Sequence, residues 1–144
     1  MTTRQNEPNN RRTIIAAGAQ GASGRAVLER YAASPGTTVY GLSRRLAKSQ
    51  GNVTHISVDL LDTDDLQTKL GPLSAATHLV FGAYVEKPTA AERTEINLRL
   101  LQNVLDILDT PAPQLEHITI YQGGKAYGSN LGPYKPPRVR MIPV

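Results

Sequence analysis

Apolar and polar positions along this chain switch between two periods. Thr13-Ile14-Ile15-Ala16-Ala17 is a short continuous run rich in β-branched residues, which reads as a buried strand. Val27, Leu28, Tyr31 and Ala32 then stripe a helix from about Ala22 to Ala33, closed by Ser34-Pro35-Gly36. Thr38–Leu42 is the second strand. A loop through Lys48–Asn52 leads to a third, Thr54–Val58. The carboxylates Asp59, Asp62, Asp64 and Asp65 precede the apolar pair Leu66 and Leu70. Negative charge ahead of an apolar period marks a helix start, because it complements the positive end of the helix dipole. Asp62 or Thr63 is the expected cap. Gly71-Pro72 breaks that helix.

Thr77-His78-Leu79-Val80-Phe81-Gly82-Ala83 reads as a fully buried strand ending in small residues. Pro88 suits the first turn of the next helix. That helix runs to about Asp109, with Ile96, Leu100, Val104 and Leu108 four apart and Leu101 and Leu105 widening the stripe. Asn97 within the stripe is expected to satisfy its amide locally. Thr110-Pro111-Ala112-Pro113 breaks the helix, and Glu116–Tyr121 alternates as a fifth strand. From Ser129 to Val144 there are four prolines and no sustained period.

Strands and helices in this order predict an α/β fold: a doubly wound parallel sheet of about five strands, with helices on both faces and strand order 3-2-1-4-5. Residues 1–12 read as a flexible tail, 13–128 as the folded domain and 129–144 as an irregular tail. The chain has 144 residues, 40% hydrophobic and 19% charged, which is enough for one globular core. There is no cysteine, hence no disulfide framework and no thiolate metal site. His55, His78 and His117 lie far apart and form no metal-ligand spacing, and the aspartate cluster lacks the glycine and glutamate of a calcium loop. The net charge of +4 raises nucleic acid as a partner, but the arginines near the two ends form no stripe, so no nucleic-acid partner is expected. No apolar run reaches the roughly 18 residues of a membrane span, and no secretory h-region is present. The expectation is a cytoplasmic protein with no membrane association.

The turn after the first strand carries the chemistry. Gly18-Ala19-Gln20-Gly21-Ala22-Ser23-Gly24 joins strand to helix with a G-x-x-G-x-x-G spacing. Such a turn lets backbone N–H groups approach a pyrophosphate at a helix N-terminus. The residue ending the second strand of a dinucleotide site meets the adenosine ribose, where a carboxylate suits NAD and a cation suits a 2′-phosphate. Here Ser43-Arg44-Arg45 stand, with no acidic residue. A guanidinium matches phosphate bidentately. Arg44, and secondarily Arg45, therefore read as a 2′-phosphate clamp, with Ser43 as an added donor, and the cofactor as NADP(H). The fourth and fifth strand ends bring Gly82, Ala83, Tyr84, Lys125 and Tyr127 to the same crevice. A tyrosine that hydrogen-bonds a carbonyl oxygen, beside a lysine that holds developing charge, makes a reductase constellation. Tyr121-x-x-x-Lys125 spells another dehydrogenase motif, but that motif needs a helix and Gly123-Gly124 argue against one.

From about residue 13 to 135 the chain resembles the N-terminal part of the progesterone 5-beta-reductase/iridoid synthase-like (PRISE) group of short-chain dehydrogenases/reductases. Four stretches carry the resemblance: the glycine turn; Val39-Tyr40-Gly41-Leu42-Ser43-Arg44-Arg45; Lys87-Pro88-Thr89 through Glu95-Ile96-Asn97, with Leu101-Gln102-Asn103-Val104-Leu105; and Gly123-Gly124-Lys125-Ala126-Tyr127, close to that group's T-G-x-K-H-Y signature. The resemblance implies NADPH-dependent hydride transfer to an enone or carbonyl of a small-molecule substrate. It implies Lys125 as the catalytic lysine, Asp59 and Leu60 against adenine, and Ala83 and Tyr84 along the nicotinamide ribose. Gln122 and Ala126 depart from the signature, and the group's N-F-Y-Y-x-x-E-D segment with its catalytic tyrosine does not occur in the chain. Tyr127 is the candidate to stand in for that phenol. The expectation is thus a cofactor-binding portion of a reductase, truncated before the substrate lobe. The alternatives are a non-catalytic dinucleotide-binding or sensor module and an inactive truncated product. A five-stranded remnant leaves its fifth strand as an open edge, which predicts a homodimer through that edge.

Overall fold

The strand Arg12–Ala17 (β1) lies at the centre of the sheet because it is apolar on both faces: Ile14, Ile15, Ala16 and Ala17 are all buried. The computed structural model describes residues 11–109, 113–123 and 132–133. Among them, β1 is followed by α1 (Ala22–Tyr31), β2 (Thr37–Ser43), β3 (Val53–Ser57), α2 (Thr63–Leu70), β4 (His78–Phe81), α3 (Ala90–Leu108) and β5 (His117–Ile120). A single 3-10 turn, Gly71–Leu73, follows α2. The strands form one parallel sheet in the order β3-β2-β1-β4-β5, the doubly wound order expected.

Two cores flank the sheet. Ile14 and Ala16 point to one face, where they meet Val27 and Leu28 of α1, with Val39, Val53 and Ala19. Ile15 and Ala17 point to the other. There Leu42, Leu79 and Phe81 pack against Leu66 and Leu70 of α2 and Leu100, Val104 and Leu108 of α3. The four-residue spacing of the α3 stripe makes this second core the larger. No helix among the described residues is long and apolar enough to cross a membrane. The parallel register sets Ala17 beside Leu42 and Phe81, and Phe81 beside Ile120. The carboxyl ends of the strands therefore form one rim, above which a crevice opens.

Two expectations need correction. β4 is half-buried rather than fully buried: Leu79 and Phe81 are enclosed, but His78 and Val80 are only partly covered. The α1-side core holds α1, β1, β2 and β3 and reaches Val80 only at its margin. Beyond it, β5 shows Ile118 and Ile120 at 43% and 49% exposure. Pro88 lies before α3, not in its first turn. Thr89 is the cap: its side chain accepts from the Glu92 amide while the Glu92 carboxylate accepts from the Thr89 amide. That hydroxyl and amide hold the Glu92 carboxyl below its usual range. As expected, a loop and not a helix crosses from β2 to β3, over residues 44–52. Their polar composition offers no apolar stripe for a helix to bury.

Candidate dinucleotide-binding site

The three helices do not begin alike. At α2 the Asp62 side chain accepts from the Asp64 and Asp65 amides, which establishes it as the cap. Glu92 and Thr89 close the start of α3. At α1 the N-cap is Gly21, no side chain caps it, and its first turn carries no acid. The first amides of a helix have no partner within it. Those of Ala22, Ser23 and Gly24 are thus left for an acceptor from outside, at the positive end of the helix dipole.

Sterics explain two of the three glycines. Gly18 has φ +81°, and a Cβ there would stand 2.7 Å from the Ala83 nitrogen and 2.8 Å from the Gly82 oxygen. The turn after β1 is thereby pressed against the end of β4. A Cβ on Gly24 would stand 2.2 Å from the Gly18 oxygen, so the helix start folds directly onto the turn. Both glycines serve the close approach that the crevice requires.

The crevice above the strand ends holds about 370 Å³, within the range of roughly 300–1,000 Å³ common for small-molecule sites. It is lined by Gly18, Gln20 and Gly21 of the turn, Leu42, Ser43, Arg44 and Arg45 at the end of β2, Val58, Asp59, Leu60 and Leu61 after β3, and Ala83, Tyr84, Val85 and Leu100. The structure therefore brings together the glycine turn, the arginine pair, Asp59-Leu60 and Ala83-Tyr84, as the sequence suggested. Ala22, Ser23 and Gly24 are not among the lining residues; they open α1 directly after the lining residue Gly21. Lys125 and Tyr127 lie outside the described residues.

Arg44 and Arg45 are exposed and make no ion pair among the described residues. The Ser43 hydroxyl donates to the Arg45 carbonyl at 2.6 Å, so its proton is directed along the chain. Asp59 closes a small turn, its carboxylate accepting from the Leu61 amide at 3.0 Å. Tyr84 is 59% exposed, and its hydroxyl donates to Glu86 at 2.9 Å. That carboxylate pushes the phenol above its ordinary range.

Two asparagines of α3 brace the far wall. The Asn97 carbonyl accepts from the Val85 amide at 2.8 Å, and its amide donates to the Val85 carbonyl at 2.7 Å and the Arg93 carbonyl at 2.8 Å. Asn97 thus pairs with the loop after β4 as a neighbouring strand would. The expectation of a locally satisfied amide is half of the matter, since most of its bonds go to that loop. Asn103 donates to the Leu60 carbonyl at 2.8 Å and holds the loop after β3. Asn97→Leu, close in volume, leaves both polar groups of Val85 without their partner. It should cost about 1–3 kcal/mol and speed hydrogen exchange at the Val85 amide; unchanged exchange there would contradict this role.

The chain is 37% identical over 92 residues to the (S)-8-oxocitronellyl enol synthase of Nepeta cataria, a match covering 62% of this chain and 24% of that protein. It is 34% identical over 100 residues to the 3-oxo-Delta(4,5)-steroid 5-beta-reductase of Arabidopsis thaliana, covering 67% and 25%. Over about two thirds of its length the chain is similar to these members of the PRISE group of short-chain dehydrogenases/reductases. It spans about a quarter of the length of these curated relatives. No family model matches it. Among solved structures, a short-chain dehydrogenase/reductase superfamily protein of Agrobacterium tumefaciens with bound NAD superposes with a TM-score of 0.62 at 19% identity, covering 80% of this chain and 34% of that one. A short-chain dehydrogenase of Burkholderia cenocepacia in complex with NADP superposes with a TM-score of 0.57 at 17% identity, covering 69% and 46%. At these identities the likeness is one of fold.

The crevice has lining residues that the sequence did not reveal. Leu42, Val58, Leu61, Val85 and Leu100 reach the crevice through their places at strand ends or on the buried stripe of α3. The bracing by Asn97 and Asn103 was signalled only by polar residues standing among apolar ones.

Proposed function

We propose that this chain forms the NADP(H)-binding part of a PRISE-type reductase that passes hydride to an enone or a carbonyl. A single observation carries the reading. The crevice has Gly21, the N-cap of α1 with no side-chain cap, on one side and two arginines without an ion pair among the described residues on the other, with no carboxylate at the end of β2. A helix N-terminus favours a pyrophosphate, and guanidinium groups favour a further phosphate that NAD lacks.

On this reading the amides from Ala22 to Gly24 meet the pyrophosphate and Arg44 and Arg45 meet the 2′-phosphate. Asp59 and Leu60 border adenine, and Ala83 and Tyr84 border the nicotinamide ribose. The bound cofactor supplies the hydride. Lys125 holds charge that develops on the substrate oxygen, and Tyr127 hydrogen-bonds it. The role of Lys125 rests on its place after the fifth strand and on the family resemblance, that of Tyr127 on its place in the sequence alone.

The test is loss of NADPH absorbance in the presence of the chain and a panel of small enones and aldehydes. Enone- or aldehyde-dependent oxidation of NADPH is the expected result. Stoichiometric NADPH binding with no turnover on any of them would remove the reductase assignment and leave a cofactor-binding module.

A further inference from the structure

We propose that Gln20 is a positioning residue that sets selectivity for the 2′-phosphate by strapping the arginine loop to the glycine turn. The proposal rests on the NADP(H) reading above and adds a residue through which that reading acts. Gln20 is half-buried at the centre of the turn. Its amide nitrogen donates across the crevice floor to the Ser43 hydroxyl at 3.2 Å and to the Arg45 carbonyl at 2.5 Å. Ser43 donates to the same carbonyl. From the other side, the Ser57 hydroxyl of β3 donates to the Arg44 carbonyl at 2.9 Å.

The consequence is a division of labour within each arginine. The backbone carbonyls of Arg44 and Arg45 are both held by side chains from other elements, and both guanidinium groups are left without an ion pair among the described residues. The Gly18 and Ala19 amides tie the turn to the Leu42 carbonyl, both at 3.0 Å; past Leu42, among the described residues, the bonds from the turn to the loop are those of Gln20. Residues 46–49 have no regular structure, and Leu46 is 72% exposed. A donor at residue 20 therefore couples the pyrophosphate end of the crevice to its phosphate-clamp end. A side chain without a donor, or too short to cross, frees the Arg45 end of the loop from the turn and leaves it held from β3 alone. Ordering two arginines and their loop then has to be met at the moment of binding, a cost that lowers affinity about tenfold.

That cost falls only on a ligand that uses the arginines. The 144-residue chain is titrated by calorimetry with 2′,5′-ADP and with 5′-AMP, as wild type, as Gln20→Ala, as Arg44→Ala/Arg45→Ala and as the triple variant. The expected result is that Gln20→Ala weakens 2′,5′-ADP about tenfold and leaves 5′-AMP unchanged, which also shows the variant to be folded. In the double-arginine background, Gln20→Ala should have no further effect, because no guanidinium remains to be positioned. Persistence of the tenfold loss in that background would overturn positioning in favour of direct contact. An undiminished preference for 2′,5′-ADP in Gln20→Ala, or an equal loss for both ligands, would overturn the proposal while leaving the NADP(H) reading intact. Equal wild-type affinity for the two ligands would remove that reading itself, and the proposal with it.

Discussion

Gly24→Ala is expected to lower the unfolding free energy by about 3 kcal/mol, read as a shift of the urea midpoint. The added methyl would stand 2.2 Å from the Gly18 oxygen, 2.7 Å from the Ala19 Cα and 2.8 Å from the Gly18 carbonyl carbon. All three are backbone atoms, which cannot rotate aside as a side chain can. The turn cannot withdraw, because Gly18 is itself pressed against the end of β4. Nor can the helix lift away freely, since Val27 and Leu28 anchor it in the core shared with Ile14 and Ala16. Gly21→Ala provides the contrast. Its methyl would meet only the Gly18 oxygen, at 3.3 Å, and the residue already has an extended backbone. Its loss should be clearly smaller. An unchanged midpoint for Gly24→Ala would mean that the turn is looser than its contacts indicate.

Arg44→Ala is expected to weaken NADPH by roughly 10- to 100-fold, the effect of losing a charged hydrogen-bonding partner worth about 1.5–3 kcal/mol. NADH should change by less than about threefold, since the guanidinium has no phosphate to hold there. Arg45→Ala should act in the same direction with smaller magnitude, consistent with its secondary place in the clamp. Calorimetric titration of both cofactors separates these outcomes. Equal weakening of NADPH and NADH would show that the arginine supports the site in general and does not read the 2′-phosphate. The residue is well suited to the test because it is exposed and its substitution removes no packing.

The strands and the sheet order were legible because β1 and β2 are short β-branched runs bounded by glycine and proline, and the α3 stripe repeats every four residues. The glycine turn was legible from spacing, and the PRISE-group stretches from their motifs. What could not be read was whatever depends on a partner distant in sequence. Asn97 looks like an imperfection in an apolar stripe until the loop at Val85 is placed beside it. Gln20 looks like a variable residue between glycines until β2 brings Ser43 and Arg45 within reach. Pro88 misled because proline favours the first helical turn in general, whereas here Thr89 and Glu92 form a reciprocal cap one residue later. The half-exposed face of β4 was equally hidden, since an apolar run does not say whether a helix covers it.

The central claim is that the crevice between the glycine turn and the arginine loop is an NADP(H) cradle. Calorimetric titration of the chain with NADPH and, in parallel, with NADH tests it most directly. One NADPH bound per chain, more tightly than NADH, is the expected result. Absence of heat for either cofactor, or tighter binding of NADH than of NADPH, would contradict it.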